Sequence, residues 1–135
     1  IKFSSKHITS DKFIALNGDS YCDVSYQEAW RAILTSELLL VAAFVPNVER
    51  FGKLQIDQQN KIIELSEKKS LGPGFINAGI YGISKQLILL ENKQSFSFEN
   101  NFLPKHLDKC TALKVYSKFV DIGVPNDYYY ANQIL

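Results

Sequence analysis

Continuous apolar runs alternate with polar punctuation along this chain. Residues 13–16 (Phe-Ile-Ala-Leu) form one such run, closed by Asn17-Gly18-Asp19-Ser20. A run without polar alternation reads as a strand covered on both faces, as in a parallel α/β sheet. Ser25-Tyr26-Gln27-Glu28 has the form of a capping box, and Ala29, Trp30, Ile33 and Leu34 recur at helical spacing, so a helix is expected over about 26–36. Residues 38–45 are a second buried strand, stopped by Pro46. Residues 53–57 and 61–66 read as the arms of a hairpin around Gln58-Gln59-Asn60. After Gly72-Pro73-Gly74, residues 75–83 read as a strand interrupted by Gly79 and Gly82, where a bulge or the close approach of a ligand is expected. Ser84 is placed to cap a short helix over 85–90, and 98–108 reads as a helix that Pro104 kinks or resets. Two short strands, 112–116 and 118–122, precede Pro125, which opens a helix running towards Leu135. The order β-α-β, then a meander, then mixed elements predicts one α/β domain with a mixed sheet.

Composition narrows the class. The chain has 135 residues, 46% hydrophobic and 21% charged, which supports one packed core and argues against disorder. A net charge of +1 offers no basic face for nucleic acid. The longest apolar run, 38–46, is too short to span a bilayer. Cys22 and Cys110 fit no metal or redox spacing and read as reduced thiols of a cytoplasmic protein. The chain holds no methionine and opens Ile1-Lys2-Phe3, so it reads as a piece of a longer product.

The candidate chemistry begins with Asp19, which follows a strand where open α/β sheets bind their ligands. Asp121 closes a similar run, Phe119-Val120-Asp121-Ile122-Gly123. On neighbouring strands, the two carboxylates would suit a hard cation such as Mg2+, with waters and phosphates completing its shell. Capping a turn or a helix is the alternative for each aspartate. Glu67-Lys68 offers a sugar-hydroxyl acceptor and a phosphate contact, or else a solvated charged turn with Lys69. Asn77 places an amide in an apolar strand, where it needs a ligand hydroxyl or a backbone group as partner. Gly52 turns the chain or lets a substrate lie against the backbone. His7 and His106 are isolated and read as surface residues. Tyr128-Tyr129-Tyr130 cannot share one helix face, so some should pack and some should be exposed.

Six segments, in order, resemble the sugar-phosphate nucleotidyltransferase family: LNGDS (16–20), RFGKLQID (50–57), ELSEKK (64–69), GFINAGIYGIS (74–84), FSFENNFLP (96–104) and FVDIGVPNDYYYA (119–131). The first, with Tyr21-Cys22-Asp23-Val24 after it, and Gly72-Pro73-Gly74 running into Asn77-Ala78-Gly79 are most similar to the members that act on heptose or mannose 1-phosphate with guanine nucleotides. The resemblance implies a Rossmann-like nucleotide-diphospho-sugar transferase fold: α/β, with a mixed, mostly parallel sheet flanked by helices and lacking its first strands. Residues 1–135 would be the C-terminal part of a single nucleotidyltransferase domain. It implies an enzyme of nucleotide-sugar and surface-polysaccharide synthesis that moves a guanylyl group from GTP to a sugar 1-phosphate with release of pyrophosphate. Asp19 and Asp121 match the magnesium ligands and the catalytic residues, and Gly18 matches a nucleotide-side contact. Glu67, Lys68, Asn77 and Gly79 match the sugar-phosphate site, which Gly52 lines. A different base or sugar, or a non-catalytic sugar-phosphate-binding module, is the alternative.

Three departures qualify the resemblance. The family's glycine-rich loop, Gly-Gly-x-Gly-Thr-Arg-Leu, is not in this sequence, and these 135 residues alone are expected not to turn over. Strands missing from the sheet would leave an edge and apolar surface inviting self-association. Lys69 stands where the family has proline, and Val124 replaces a threonine before Pro125, losing a hydroxyl cap.

Overall fold

An eleven-residue strand organises the molecule. The computed structural model describes residues 1–66, 70–93 and 95–135. In chain order its strands are β1 (Lys12–Leu16), β2 (Ser20–Cys22), β3 (Leu38–Val45), β4 (Leu54–Ile56), β5 (Ile62–Leu65), β6 (Gly74–Ser84), β7 (Cys110–Val115) and β8 (Phe119–Asp121). The helices are α1 (Lys2–Ser5), α2 (Tyr26–Leu34), α3 (Lys85–Leu89), α4 (Leu103–Lys105) and α5 (Pro125–Ile134). One edge of β6 pairs with β3 along almost its whole length. Its other edge is shared: β1 covers Ile80–Ser84, and β4 meets it at Phe75. β7 lies beyond β3 and β5 beyond β4, giving a six-stranded sheet. β2 and β8 form a separate two-stranded antiparallel ribbon.

The mixed sheet flanked by helices is as expected, but the balance of strand directions is not. Among the described strand pairs only β3–β7 is parallel; the rest are antiparallel. β1 and β3 do run in the same direction, joined through α2. β6 inserts between them, antiparallel to both. An apolar run reports burial and not the identity of the neighbour, so β-α-β in the sequence reads as a parallel pair. β1 is also less covered than its composition suggests, half-buried along its length with Leu16 55% exposed.

β3 is buried almost throughout, as its apolar run predicts. Its Leu38, Leu40 and Ala42 face a core completed by Tyr81, Ile83, Ile88, Phe102 and Leu103. Its Val41, Ala43 and Val45 face the opposite layer, with Ile76, Ala78 and Ile80. α2 seals that second layer with Ala29 and Ile33 against Leu39. Ser25 accepts a bond from the Glu28 amide (3.2 Å) at the start of α2. At its end Lys12 Nζ donates to the carbonyls of Ile33 (2.7 Å), Leu34 (2.9 Å) and Ser36 (3.0 Å), placing a cation on the negative end of the helix.

Other expectations shift in detail. The single helix expected over 98–108 is broken into a π-helical turn, Phe98–Phe102, then α4, then a tight turn, Leu107–Lys109. Pro104 has no amide to donate back to Asn100, so the chain widens before it and restarts there. Ser84 makes no side-chain cap on α3, and Val124 makes none on α5. Tyr128, Tyr129 and Tyr130 are all exposed, because Ala131 is the residue through which α5 is buried. His7 is exposed, but His106 is half-buried against Phe102 (ring centroids 4.5 Å apart), and burial lowers its pKa. Both cysteines are buried and free.

Two consequences can be measured. A Cβ on Gly82 would lie 2.9 Å from Ile33 Cβ and 3.1 Å from Leu39 Cβ, so this glycine marks helix-on-sheet contact and not a ligand. Those atoms sit next to the backbone and cannot swing away, so Gly82→Ala should cost about 1–3 kcal/mol in urea unfolding; an unchanged midpoint would refute the close packing. Burial pushes the Cys110 thiol from 9.0 up to about 12. A raised folded-state pKa gives stability that is complete below the unfolded value and lost as pH rises through the folded one. Unfolding midpoints should therefore fall between about pH 9 and about pH 12, and fall less in Cys110→Ala.

Candidate functional site

The shared edge of β6 creates the site. Between its pairing with β1, which ends at Ile80, and its contact with β4 at Phe75, that edge has no strand partner. Here β6 is also bulged: two steps along β3, Leu40 to Ala42, are matched by four along β6, Tyr81 to Asn77. Gly79 lies in the bulge at φ +70°, in the left-handed region that favours glycine. Its N–H donates to Asn77 Oδ1 (3.0 Å), and its carbonyl accepts from the Asn17 amide (2.8 Å). A Cβ there would stand 2.8 Å from Asn17 Nδ2. Gly79 thus holds Asn77 and Asn17 in place and lines neither of the cavities described below.

The bulge turns Asn77 and Tyr81 towards each other on one face. Asn77 Nδ2 donates to the Tyr81 hydroxyl (2.7 Å), which donates to Glu99 Oε1 (2.5 Å). The same oxygen lies 3.3 Å from Asn17 Nδ2 and 3.4 Å from Asn77 Nδ2. Burial, and then the bond to Glu99, push the Tyr81 hydroxyl pKa well up, so it stays a donor throughout the neutral range. Glu99 rides on the π-helical turn, which Ser97 caps by accepting from the Asn100 amide (3.1 Å). Phe98 anchors that turn edge-on to Tyr81, ring centroids 4.7 Å apart.

Two cavities meet at Glu99. One, about 630 Å³, is lined by Gly52, Lys53, Ser66, Asn77, Glu99 and Leu103 among others. The second, about 520 Å³, includes Asn17, Gly18, Asp19, Tyr81 and Glu99. Gly52 (φ +81°) lines the first cavity and Gly18 the second. Glu67 and Lys68 lie outside the described residues; Ser66, directly before them, is on the first cavity's wall.

Asp19 and Asp121 come from adjoining chain segments. Ser20 pairs with Asp121 in the β2–β8 ribbon, and the Asp19 carbonyl accepts from the Ile122 amide (2.8 Å). Asp121 Oδ1 also accepts from the Gly123 amide (2.9 Å), so this residue does shape a turn, as the alternative reading held. Its Oδ2 faces Arg50 Nη2 at 4.0 Å, while the same guanidinium nitrogen is 2.6 Å from Asp127 Oδ2. Phe51 packs edge-on to Phe119 (5.6 Å), tying the loop that carries Gly52 to the strand that carries Asp121. Among the described residues no group of three or more His, Cys, Asp or Glu gathers as a metal cage. Asp121 stands opposite Ser20 in the ribbon, one register step from Asp19; two carboxylates meeting at one site would suit a hard cation that keeps waters and takes its other oxygens from a phosphate substrate.

Sequence reasoning missed Glu99, Tyr81, Asn17 and Arg50 as site members. A signal existed for two of them: a tyrosine hydroxyl inside a buried strand needs a partner, and a carboxylate flanked by Phe96, Phe98 and Phe102 is placed for a reason other than solvation. Arg50 and Asp127 are far apart in sequence, and nothing local announces their pairing.

Fold and site together define an α/β protein with an acidic, polar cleft at the split edge of a mixed sheet. The family model described as nucleotidyl transferase matches residues 1–135, and the chain belongs to that family. It is 31% identical over 133 residues to the D-glycero-alpha-D-manno-heptose 1-phosphate guanylyltransferase of Campylobacter jejuni, across 96% of this chain and 58% of that protein. The crystal structure of HddC from Yersinia pseudotuberculosis is similar at TM-score 0.90 and 39% identity, covering 98% of this chain and 59% of that one. The structure of that protein complexed with GMP-PN is similar to the same degree. The chain therefore spans under two-thirds of the length of these relatives.

Proposed function

We propose that this chain is the acceptor-binding and cation-binding part of a guanylyltransferase that acts on a heptose or mannose 1-phosphate. The observation that carries this reading is the placement of Asp19 and Asp121 on adjoining segments, with Asp19 in a cavity that meets a second one at Glu99. The likeness to a heptose 1-phosphate guanylyltransferase over 96% of the chain supports the choice of substrate. GTP is the donor in this reading and pyrophosphate the leaving product.

The anionic phosphate oxygen of the sugar 1-phosphate attacks the α-phosphorus; a P–O bond forms and the α–β bridge breaks. That nucleophile needs no protein base, so catalysis rests on alignment and on balancing charge. Asp19 and Asp121 would hold Mg2+, which when bound neutralises developing charge on the transferring phosphoryl oxygens. Gly18 leaves its cavity open to close approach, since a Cβ there would meet nothing within 4 Å. Gly52 and Asn77 shape the acceptor cavity, and Glu67 and Lys68 take the sugar and its phosphate in the same reading. The buried free thiols agree with a reducing, cytoplasmic setting, and the exposed β1 end agrees with self-association.

Mg2+ together with α-D-mannose 1-phosphate or the heptose 1-phosphate should raise the melting temperature of the chain more than either component alone. Asp121→Asn and Asp19→Asn should each remove the Mg2+-dependent part of that rise. A rise that survives both substitutions would end the metal assignment.

A further inference from the structure

The sequence pattern made Asn77 one candidate sugar ligand, with a backbone group as the alternative partner. Its groups are already engaged within the protein: Nδ2 faces the Tyr81 hydroxyl (2.7 Å) and Glu99 Oε1 (3.4 Å), and Oδ1 takes the Gly79 amide (3.0 Å). Tyr81 is engaged too, its single proton given to Glu99 and its oxygen accepting from Asn77. All these bonds converge on one oxygen of Glu99, Oε1, which also faces Asn17 Nδ2 (3.3 Å). Among the described residues none donates to Oε2. A carboxylate held by one oxygen, with the other open on a wall common to two cavities, is a pre-aimed acceptor.

We infer that Glu99 is a specificity-determining residue of the acceptor site. Its Oε2 accepts a hydrogen bond from a hydroxyl of the sugar, while Tyr81 and Asn77 are positioning residues that fix the carboxylate. The inference rests on the sugar 1-phosphate reading above and deepens it. The chemistry is selective: an ionised carboxylate accepts from neutral hydroxyls and repels a phosphate. Glu99 therefore reads the hydroxyl-bearing ring and turns the phosphate away from itself. The held oxygen keeps the side chain from spending rotamer entropy on binding.

The test is calorimetric titration of the chain, at saturating Mg2+, with α-D-mannose 1-phosphate and its 2-, 3-, 4- and 6-deoxy analogues. One analogue should bind the unaltered chain roughly 10-fold or more weakly, as expected for a lost hydrogen bond to a charged acceptor. That penalty should vanish in Glu99→Ala and shrink in Tyr81→Phe, while the other analogues keep theirs. Glu99→Gln, close in shape but uncharged, supplies the same comparison should the alanine variant fold poorly. Equal penalties in the unaltered and substituted chains would overturn the role of Glu99 while leaving the sugar-phosphate reading standing. Failure of the unaltered chain to bind any of these sugar phosphates would instead overturn that reading, and this inference with it.

Discussion

Backbone accounting at the bulge in β6 is the constraint from which the site follows. A buried strand must find partners for its amides and carbonyls on both edges. β3 supplies one edge of β6, but β1 and β4 leave a gap in the other, from Ile76 to Gly79. The two extra residues fall opposite that gap, and there polar groups replace a neighbouring strand: Asn77 Oδ1 accepts from the Gly79 amide, and the Asn17 backbone amide donates to the Gly79 carbonyl. The polar cluster is thus what the sheet needs to stay satisfied where its strands diverge. The divergence in turn is what makes room for a ligand. Structure and site share the same groups, so a substitution at Asn77 or Gly79 would disturb both together.

Charge gives the cleft its character. Asp19 and Glu99 line one cavity, while Asp121 and Asp127 stand on the adjoining ribbon and helix with Arg50 between them. Arg50 is more exposed than either of those carboxylates, so that side presents one cation between two paired anions. Lys53 lines the other cavity, where Gly52 and Asn77 lie. In the proposed reading a sugar phosphate turns its anionic end towards the metal and its neutral hydroxyls towards Glu99. Arg50 bears on this through geometry. It sits beside Phe51 and Gly52 in the loop before β4, yet its guanidinium reaches the carboxylate strand, and Phe51 follows it onto Phe119. The loop that carries Gly52 is therefore tied to the strand that presents Asp121.

Much of this was legible in the sequence. β3 occupies the predicted residues 38–45, the hairpin of β4 and β5 lies within its predicted arms, and Ser25 caps α2 as its capping box implies. These features are local: a period, a turn or a cap is written in a few adjacent residues. The adjacency of Asp19 and Asp121 was reachable because each closes an apolar run. The ribbon that joins them was not, since β2 is three residues with one buried. Strand direction was equally hidden. β6 inserts between β1 and β3 although it follows them by dozens of positions in the chain, and an apolar run carries no record of that.

The polar network shows why the last part of a site resists reading from sequence alone. Asn77 and Tyr81 are four apart, a spacing that in a regular strand puts side chains on one face but well separated along it. They touch because Gly79 takes a positive φ and shortens the path between them. The glycine was visible as an interruption, and a bulge or a ligand was the expectation. The structure makes it a bulge, and in our proposal the ligand-facing role falls to a residue twenty positions on, carried by a turn that Pro104 forces wide. The residue whose amide invited a ligand is bonded within the protein. The general lesson is physical: in a sheet, a polar side chain whose hydrogen bonds are all accounted for by its own protein is holding something, and the free valence has to be sought on what it holds.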